Sequence, residues 1–247
     1  MVPTFQKETG NSILRPMSNR SVVDQIVERV TDAIISGELK AGDKIPTELE
    51  LSDSIGVGRN SVREAIKILV SQGVLQIRRA EGTFVCDSFN DHMLDPLIYG
   101  LILEKDASKH IVELRRVFET GILDTVIRRV TPAQIRQLEQ AFRNLEQLVS
   151  KAEVDADRVL DADIAFHRVL VQITDNYLID KVSNMIERLT VPSRRRTIEQ
   201  ILATDNGRRM IELHAELVDV VKSRDANRIS DAMEHHFSFW IHEVSGS

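Results

Sequence analysis

Four side chains with metal-ligand chemistry recur at inward-facing positions in the second half of this 247-residue chain. Asp163 and His167 are four residues apart, so on a helix both leave one face, the face that also carries Val159, Phe166 and Leu170. His214 falls in the apolar series Ile211, His214, Val218, Val221, and His236 falls in the series Ile229, Met233, His236, Trp240. One carboxylate and three imidazoles suit a divalent transition ion and leave coordination positions over; zinc comes first, with manganese, nickel, iron or cobalt also accommodated. A single histidine on an apolar stripe is more often a hydrogen-bonded core residue than a ligand. Four such positions are harder to account for in that way. His235 should face outward, and His92, His110 and His242 show no partner in the pattern.

A second chemistry lies earlier. Between Ser54 and Ala80 there are five basic residues, Arg59, Arg63, Lys67, Arg78 and Arg79, against the single acid Glu64, inside a chain of net charge −6. Arg59 and Arg63 are four apart and share the exposed face of a helix whose other face carries Ile66 and Leu69. Asn60 and Ser61 sit beside them. Arginine, asparagine and serine on an opening helical turn suit base edges and phosphates in a major groove, and Arg79 on a following hairpin suits a neighbouring minor groove. The competing reading is a domain of the same shape used only for protein contacts, whose exposed helix has no need to be basic.

The elements that position these groups follow from period and punctuation. Val23, Ile26, Val27, Val30 and Ile34 make a first helix that ends at Gly37. A second begins near Thr47, places Leu49, Leu51 and Ile55 at near-helical spacing, and stops at Gly56. A third carries Ser61, Val62, Ala65, Ile66, Leu69 and Val70 and ends before Gly73. The period then changes: Val74, Leu75 and Ile77 read as one strand and Thr83 to Val85 as another, with Arg78 to Gly82 as the tip between them. This is a winged helix-turn-helix, expected over residues 20–86. Residues 1–19 are polar and aperiodic and are expected to form a flexible arm. Helix-period segments near 89–103, 107–129, 132–150, 156–174, 177–199, 206–223 and 225–244 follow, with Pro96 and Pro192 marking a start or a kink. They give an all-α helical bundle over residues 89–244. The fold class is therefore mainly α, with a small β wing.

Composition narrows the setting. The single cysteine, Cys86, excludes a disulfide framework and any multi-cysteine metal site. No apolar run reaches the length of a membrane span, and the first twenty residues lack the apolar core of a signal peptide, so a cytoplasmic protein without membrane contact is expected. Residues 1–87 hold 11 basic and 12 acidic groups, so overall charge does not announce a nucleic-acid binder. Only the local cluster does.

The stretch IPTELELSDSIGVGRNSVREAIKILVSQGVLQIRRAEGTFV resembles the DNA-binding domain of GntR-family bacterial transcription regulators. The resemblance implies DNA contacts at Arg59, Asn60, Arg63 and Arg79 and at the backbone near Gly82. It departs from the family pattern at Leu49, where arginine is usual, and at Gly58, where serine or threonine is usual. DADIAFHRVL, IELHAELVDVV and AMEHHF resemble the helical FCD ligand-binding domain of the FadR-type subfamily, whose metal ligands map onto Asp163, His167, His214 and His236. ELRRVFE is similar to the helix of that domain whose arginine, here Arg115, faces the effector cavity. Asn176, in TDNYL, matches a residue near the pocket. From spacing alone Arg115 has an alternative as the salt-bridge partner of Glu119, and Asn176 an alternative as a helix cap.

The reading is a homodimeric, metabolite-responsive transcription regulator, a repressor rather than an enzyme, that binds a palindromic double-stranded operator. Its affinity would be set by a small organic or sugar acid held at the divalent metal and Arg115. Two alternatives compete: a metal-dependent enzyme working through the Asp and three His, and a regulator whose metal is purely structural and which has no effector.

Overall fold

The structure is a computed structural model that describes residues 20–88, 91–104, 107–151, 153–204 and 206–238. The expected N-terminal arm, residues 1–19, and Trp240 and His242 lie outside the described residues. The chain divides into two compact units, residues 1–95 and 96–247.

In the first unit, α1 (Val22–Ile35) starts from a capping box in which Ser21 accepts from Asp24 N. Thr47 and Glu50 build a second box at the head of α2 (Glu48–Ile55). Gly56 ends α2 in the left-handed conformation, φ 71°, which a side chain would resist. Only Val57 and Gly58 separate it from α3 (Arg59–Ser71). Ile26, Val62, Ala65, Ile66, Leu69, Leu75 and Val85 form the core behind α3. Strands β1 (Leu75–Arg78) and β2 (Gly82–Val85) pair antiparallel, from Leu75 opposite Val85 to Arg78 opposite Gly82. The chain before α2 adds an edge to this wing: Lys44 bridges Phe84, and Ile45 N donates to the Thr83 carbonyl at 2.9 Å. Gly82 has φ 126°, a backbone angle that requires glycine, and the Lys44 side chain lies across the place where a Cβ would stand. Leu49 is 43% exposed, whereas Ser52 is buried, its Oγ donating to the Val57 carbonyl at 2.7 Å.

The second unit is helical. A 3-10 turn (Asp91–Leu94) precedes α4 (Asp95–Leu103), so the helix expected from residue 89 begins later, with Pro96 at its second position. Then come α5 (Ala107–Arg129), α6 (Pro132–Val149), α7 (Ala156–Ile173), α8 (Tyr177–Ala203), α9 (Gly207–Ser223) and, after a 3-10 turn (Ala226–Arg228), α10 (Ile229–His236). The helix α8 outruns its expected end at residue 199 and carries Pro192 in its interior. One apolar cluster, with Phe166, Leu170, Leu217, Val221 and Phe237, joins α5, α6, α7, α9 and α10. A second, with Leu145, Val159, Ile198 and Met210, joins α6, α7, α8 and α9. Between these apolar clusters sit the buried polar groups Arg115, Asp163, His167, Arg194, His214 and His236.

Candidate functional site

Five helices deliver these buried groups to one place. Asp163 and His167 stand one turn apart on α7, His214 comes from α9, His236 from α10, Arg115 and Glu119 from α5, and Arg194 from α8. The ring centroids of His214 and His236 are 4.8 Å apart, those of His167 and His236 5.1 Å, and those of His167 and His214 5.6 Å. Phe166 meets His167 and His214 edge-on, and Phe237 meets His236, so aromatic rings wall the cluster.

Hydrogen bonding shows which ring atoms face inward. His214 Nδ1 lies 2.8 Å from the Met210 carbonyl, which can only accept, so Nδ1 donates to it and Nε2 is turned to the cluster. Nε2 is 2.8 Å from Asp163 Oδ1, a contact that needs a proton of its own between the two atoms and that an ion bound there would replace. His167 Nδ1 faces Glu119 Oε2 at 3.5 Å, and its Nε2 is buried without a hydrogen-bond partner. Both ring nitrogens of His236 are buried in the same condition. Burial holds His167 well below the usual imidazole range against the pull of Asp163, and burial together with the other two imidazoles does the same to His236. Burial alone would raise the Asp163 carboxyl, but the Arg194 guanidinium, the His214 hydrogen bond and the imidazoles override it and hold it well below its ordinary value.

Orphaned buried nitrogens on His167 and His236, beside a third imidazole oriented by a backbone carbonyl, make a cluster that could hold a divalent metal. One ligand atom from each of His167, His214 and His236 lies within 4.8 Å of the others. Asp163 differs from the sequence expectation. Its Oδ1 faces the histidines, 3.7 Å from His167 Nε2, but its Oδ2 accepts from Arg194 Nε at 3.1 Å and from Arg194 Nη2. Arg194 is a buried partner of Asp163 that the sequence pattern does not single out. Thr190, Arg194, Thr197 and Ile201 share one buried face of α8, while the neighbouring Arg195 and Arg196 are exposed, a difference that the polar pattern of this stretch does not show.

The cavity at this place measures about 20 Å³ and is lined by Arg115, Asp163, His214 and His236 against Ile198 and Leu213. Arg115 is 2% exposed, and its Nε donates to Glu119 Oε1 at 2.6 Å, so it lines the cavity while paired with Glu119. Burial lowers its pKa against the pull of Glu119. Asn176 is elsewhere. It is exposed, caps α8 by accepting from Leu178 N and Ile179 N, and does not line the cavity. His235 faces outward, 3.1 Å from Glu216.

In the first unit Arg59 and Asn60 are exposed on the opening turn of α3, and Ser61 is half-buried. Gly58 provides no side-chain cap, so no side chain competes for the first amides of α3. Arg63 is exposed but paired with Glu48 of α2 at 2.9 Å. Arg79 is exposed at the hairpin tip, and Gly82 opens β2. Arg78 lies over the Phe84 ring and 3.5 Å from Asp87.

Residues 110–239 match the family model of the FCD domain, and residues 22–85 match that of the bacterial regulatory proteins of the gntR family. The chain belongs to the FCD-bearing regulators of the gntR family. It is 27% identical over 207 residues to the HTH-type transcriptional regulator LutR of Bacillus subtilis, which spans 83% of this chain and 93% of that protein. It is 26% identical to the HTH-type transcriptional repressor NanR of Klebsiella aerogenes, over 94% and 88% of the two chains. The solved Streptococcus agalactiae GntR shares the fold, with a TM-score of 0.50 at 24% identity over 92% of this chain and all of that one. The gntR-family protein is thus a transcription regulator and not an enzyme, with a DNA-binding winged domain and an effector-binding helical one. Among the described residues no helix is long and apolar enough to cross a membrane.

Proposed function

We propose that this regulator is a cytoplasmic homodimeric repressor of the FadR type whose affinity for a palindromic operator is controlled by a small organic or sugar acid. The acid is bound beside a divalent metal, zinc before manganese, nickel, iron or cobalt, in the helical domain. The observation that carries the reading is the convergence of His167, His214 and His236, with three ring nitrogens buried and unpartnered, beside a cavity that His214, His236 and Arg115 line. His167, His214, His236 and Asp163 Oδ1 would hold the ion, which supplies a Lewis-acidic contact for a carboxylate. Arg115 supplies a fixed fork of donors for the same group.

Effector control needs a ligand that favours one state of the protein over another. A cavity of about 20 Å³ has room for about one water molecule and not for an organic acid. Acid binding must therefore move the helices around it, and that movement is the lever on the DNA-binding domain. On the DNA side, Arg59, Asn60 and the open amides of α3 are assigned to base edges and phosphate, with Ser61 and Arg63 beside them and Arg79 and Gly82 at the wing. Pairing with Glu48 makes Arg63 an arginine that must exchange partners on binding. A dimer is supported by α4 and the start of α5: α4 buries only Ile98, while Leu97, Tyr99, Ile102, Leu103, Leu114 and Val117 are exposed.

The reading is tested by elemental analysis of the purified protein and by its melting temperature before and after chelation. A metal at 100 times its dissociation constant stabilises the folded protein by about 2.7 kcal/mol, so chelation should lower the melting temperature by several degrees. His214→Ala should abolish both the metal and the shift. Equal metal content in wild type and variant would remove His214 from the site.

A further inference from the structure

Asp163 is divided between two neighbours. Its Oδ1 stands 2.8 Å from His214 Nε2 and 3.7 Å from His167 Nε2, on the side of the histidines, while Oδ2 is taken by Arg194. Arg194 is 3% exposed, as is Asp163. On the opposite side Arg115 is paired with Glu119, whose Oε2 faces His167. Among the described residues, the charged groups that act on the cluster are therefore two guanidiniums, Arg115 and Arg194, and two carboxylates, Asp163 and Glu119. Their charges balance.

A divalent ion upsets that balance. An imidazole ligates only as the neutral ring, so the three histidines bring no charge of their own to the loaded site. Counted over the described residues, the loaded cluster then carries two surplus positive charges in a buried place, where unpaired charge is costly. Had Arg194 been a neutral residue, the surplus would be one.

We propose that Arg194, by neutralising Asp163 through Oδ2 while leaving Oδ1 to the metal, makes this a joint site for a divalent ion and a dianion. The acid that completes it is a dicarboxylate or another doubly charged oxyanion in preference to a monocarboxylate. The inference rests on the metal-and-acid reading of the helical domain and narrows its ligand class. Arg194 is a positioning residue toward the ion and sets the charge of the partner. Linkage makes the coupling reciprocal: the dianion tightens the metal by the factor by which the metal tightens the dianion.

The experiment measures the affinity of the full-length protein for manganese and zinc by chelator competition, with metal alone and with malonate, sulfate or acetate, corrected for metal held by each anion. Malonate or sulfate should tighten metal binding about tenfold or more, and acetate by less. Arg194→Gln, whose amide still donates to Oδ2, should bind metal alone more tightly than wild type, and its dianion factor should fall to that of acetate. Arg194→Lys keeps the charge and should keep the factor. A residue that only clamped Asp163 would behave oppositely: its loss would weaken metal about 10- to 100-fold and leave the anion factor as it was. That result, or equal effects of dianions and acetate on the wild type, overturns the proposal while the metal site stands. A wild type that takes up no metal removes the metal reading itself, and the proposal with it.

Discussion

His236 holds two ring nitrogens in the protein interior with no hydrogen-bond partner, a state that costs stability unless something binds them. His236→Leu should therefore stabilise the chelated protein, by about 1 kcal/mol, and abolish stabilisation by metal. Thermal unfolding with and without chelator reads both effects; a variant less stable than wild type in chelator would contradict the assignment. Acid acts through the same groups. His167 and His236 are held below 6.5, the ordinary imidazole value, so as pH falls below 6.5 the unfolded chain takes up protons that the folded one refuses. The metal-free protein should lose stability progressively below that pH and keep it above, and His167→Gln with His236→Leu should flatten the dependence. The donors were legible in the sequence because each interrupts an apolar stripe of helical period. Arg194 was not: its stripe is Thr190, Arg194 and Thr197, polar throughout, beside two exposed arginines and an internal proline, so period carries no sign of burial there.

At the scale of elements, helix ends were legible where a start or stop is written in the residues, as at Thr47 and Gly56. The edge that Lys44 adds to the wing was not, since one bridge between distant residues leaves no period. The buried position of α2 was not legible either, because the helix is only 8 residues long and that position is filled by Ser52. Gly56→Ala forces a side chain into the left-handed region and should destabilise the winged domain by about 1–2 kcal/mol without changing metal content, as separate thermal and elemental measurements would show. Glu48 holds Arg63 away from any phosphate, so Glu48→Gln should strengthen binding to DNA of any sequence and steepen its salt dependence. An unchanged salt slope would mean that Arg63 makes no phosphate contact.

For the whole molecule, in the proposed dimer the exposed apolar residues of α4 would connect assembly to operator binding, because two recognition helices must reach successive major grooves. Ile102→Asp with Leu103→Asp should yield a monomer on sedimentation and a large loss of operator affinity, with metal binding intact. A variant that stays dimeric would place the interface elsewhere. Arg59→Ala should cost about 1–3 kcal/mol of operator affinity and relax the base preference, while the helical domain keeps its metal. The joint action of the two domains is tested most directly by operator binding with the DNA upstream of the protein's own gene, in metal-loaded and chelated protein, across a panel of mono- and dicarboxylic and sugar acids. The account predicts that at least one acid releases the DNA from metal-loaded protein and has no effect after chelation. An acid that acts equally in both states, or DNA binding that no acid changes in either, would contradict it.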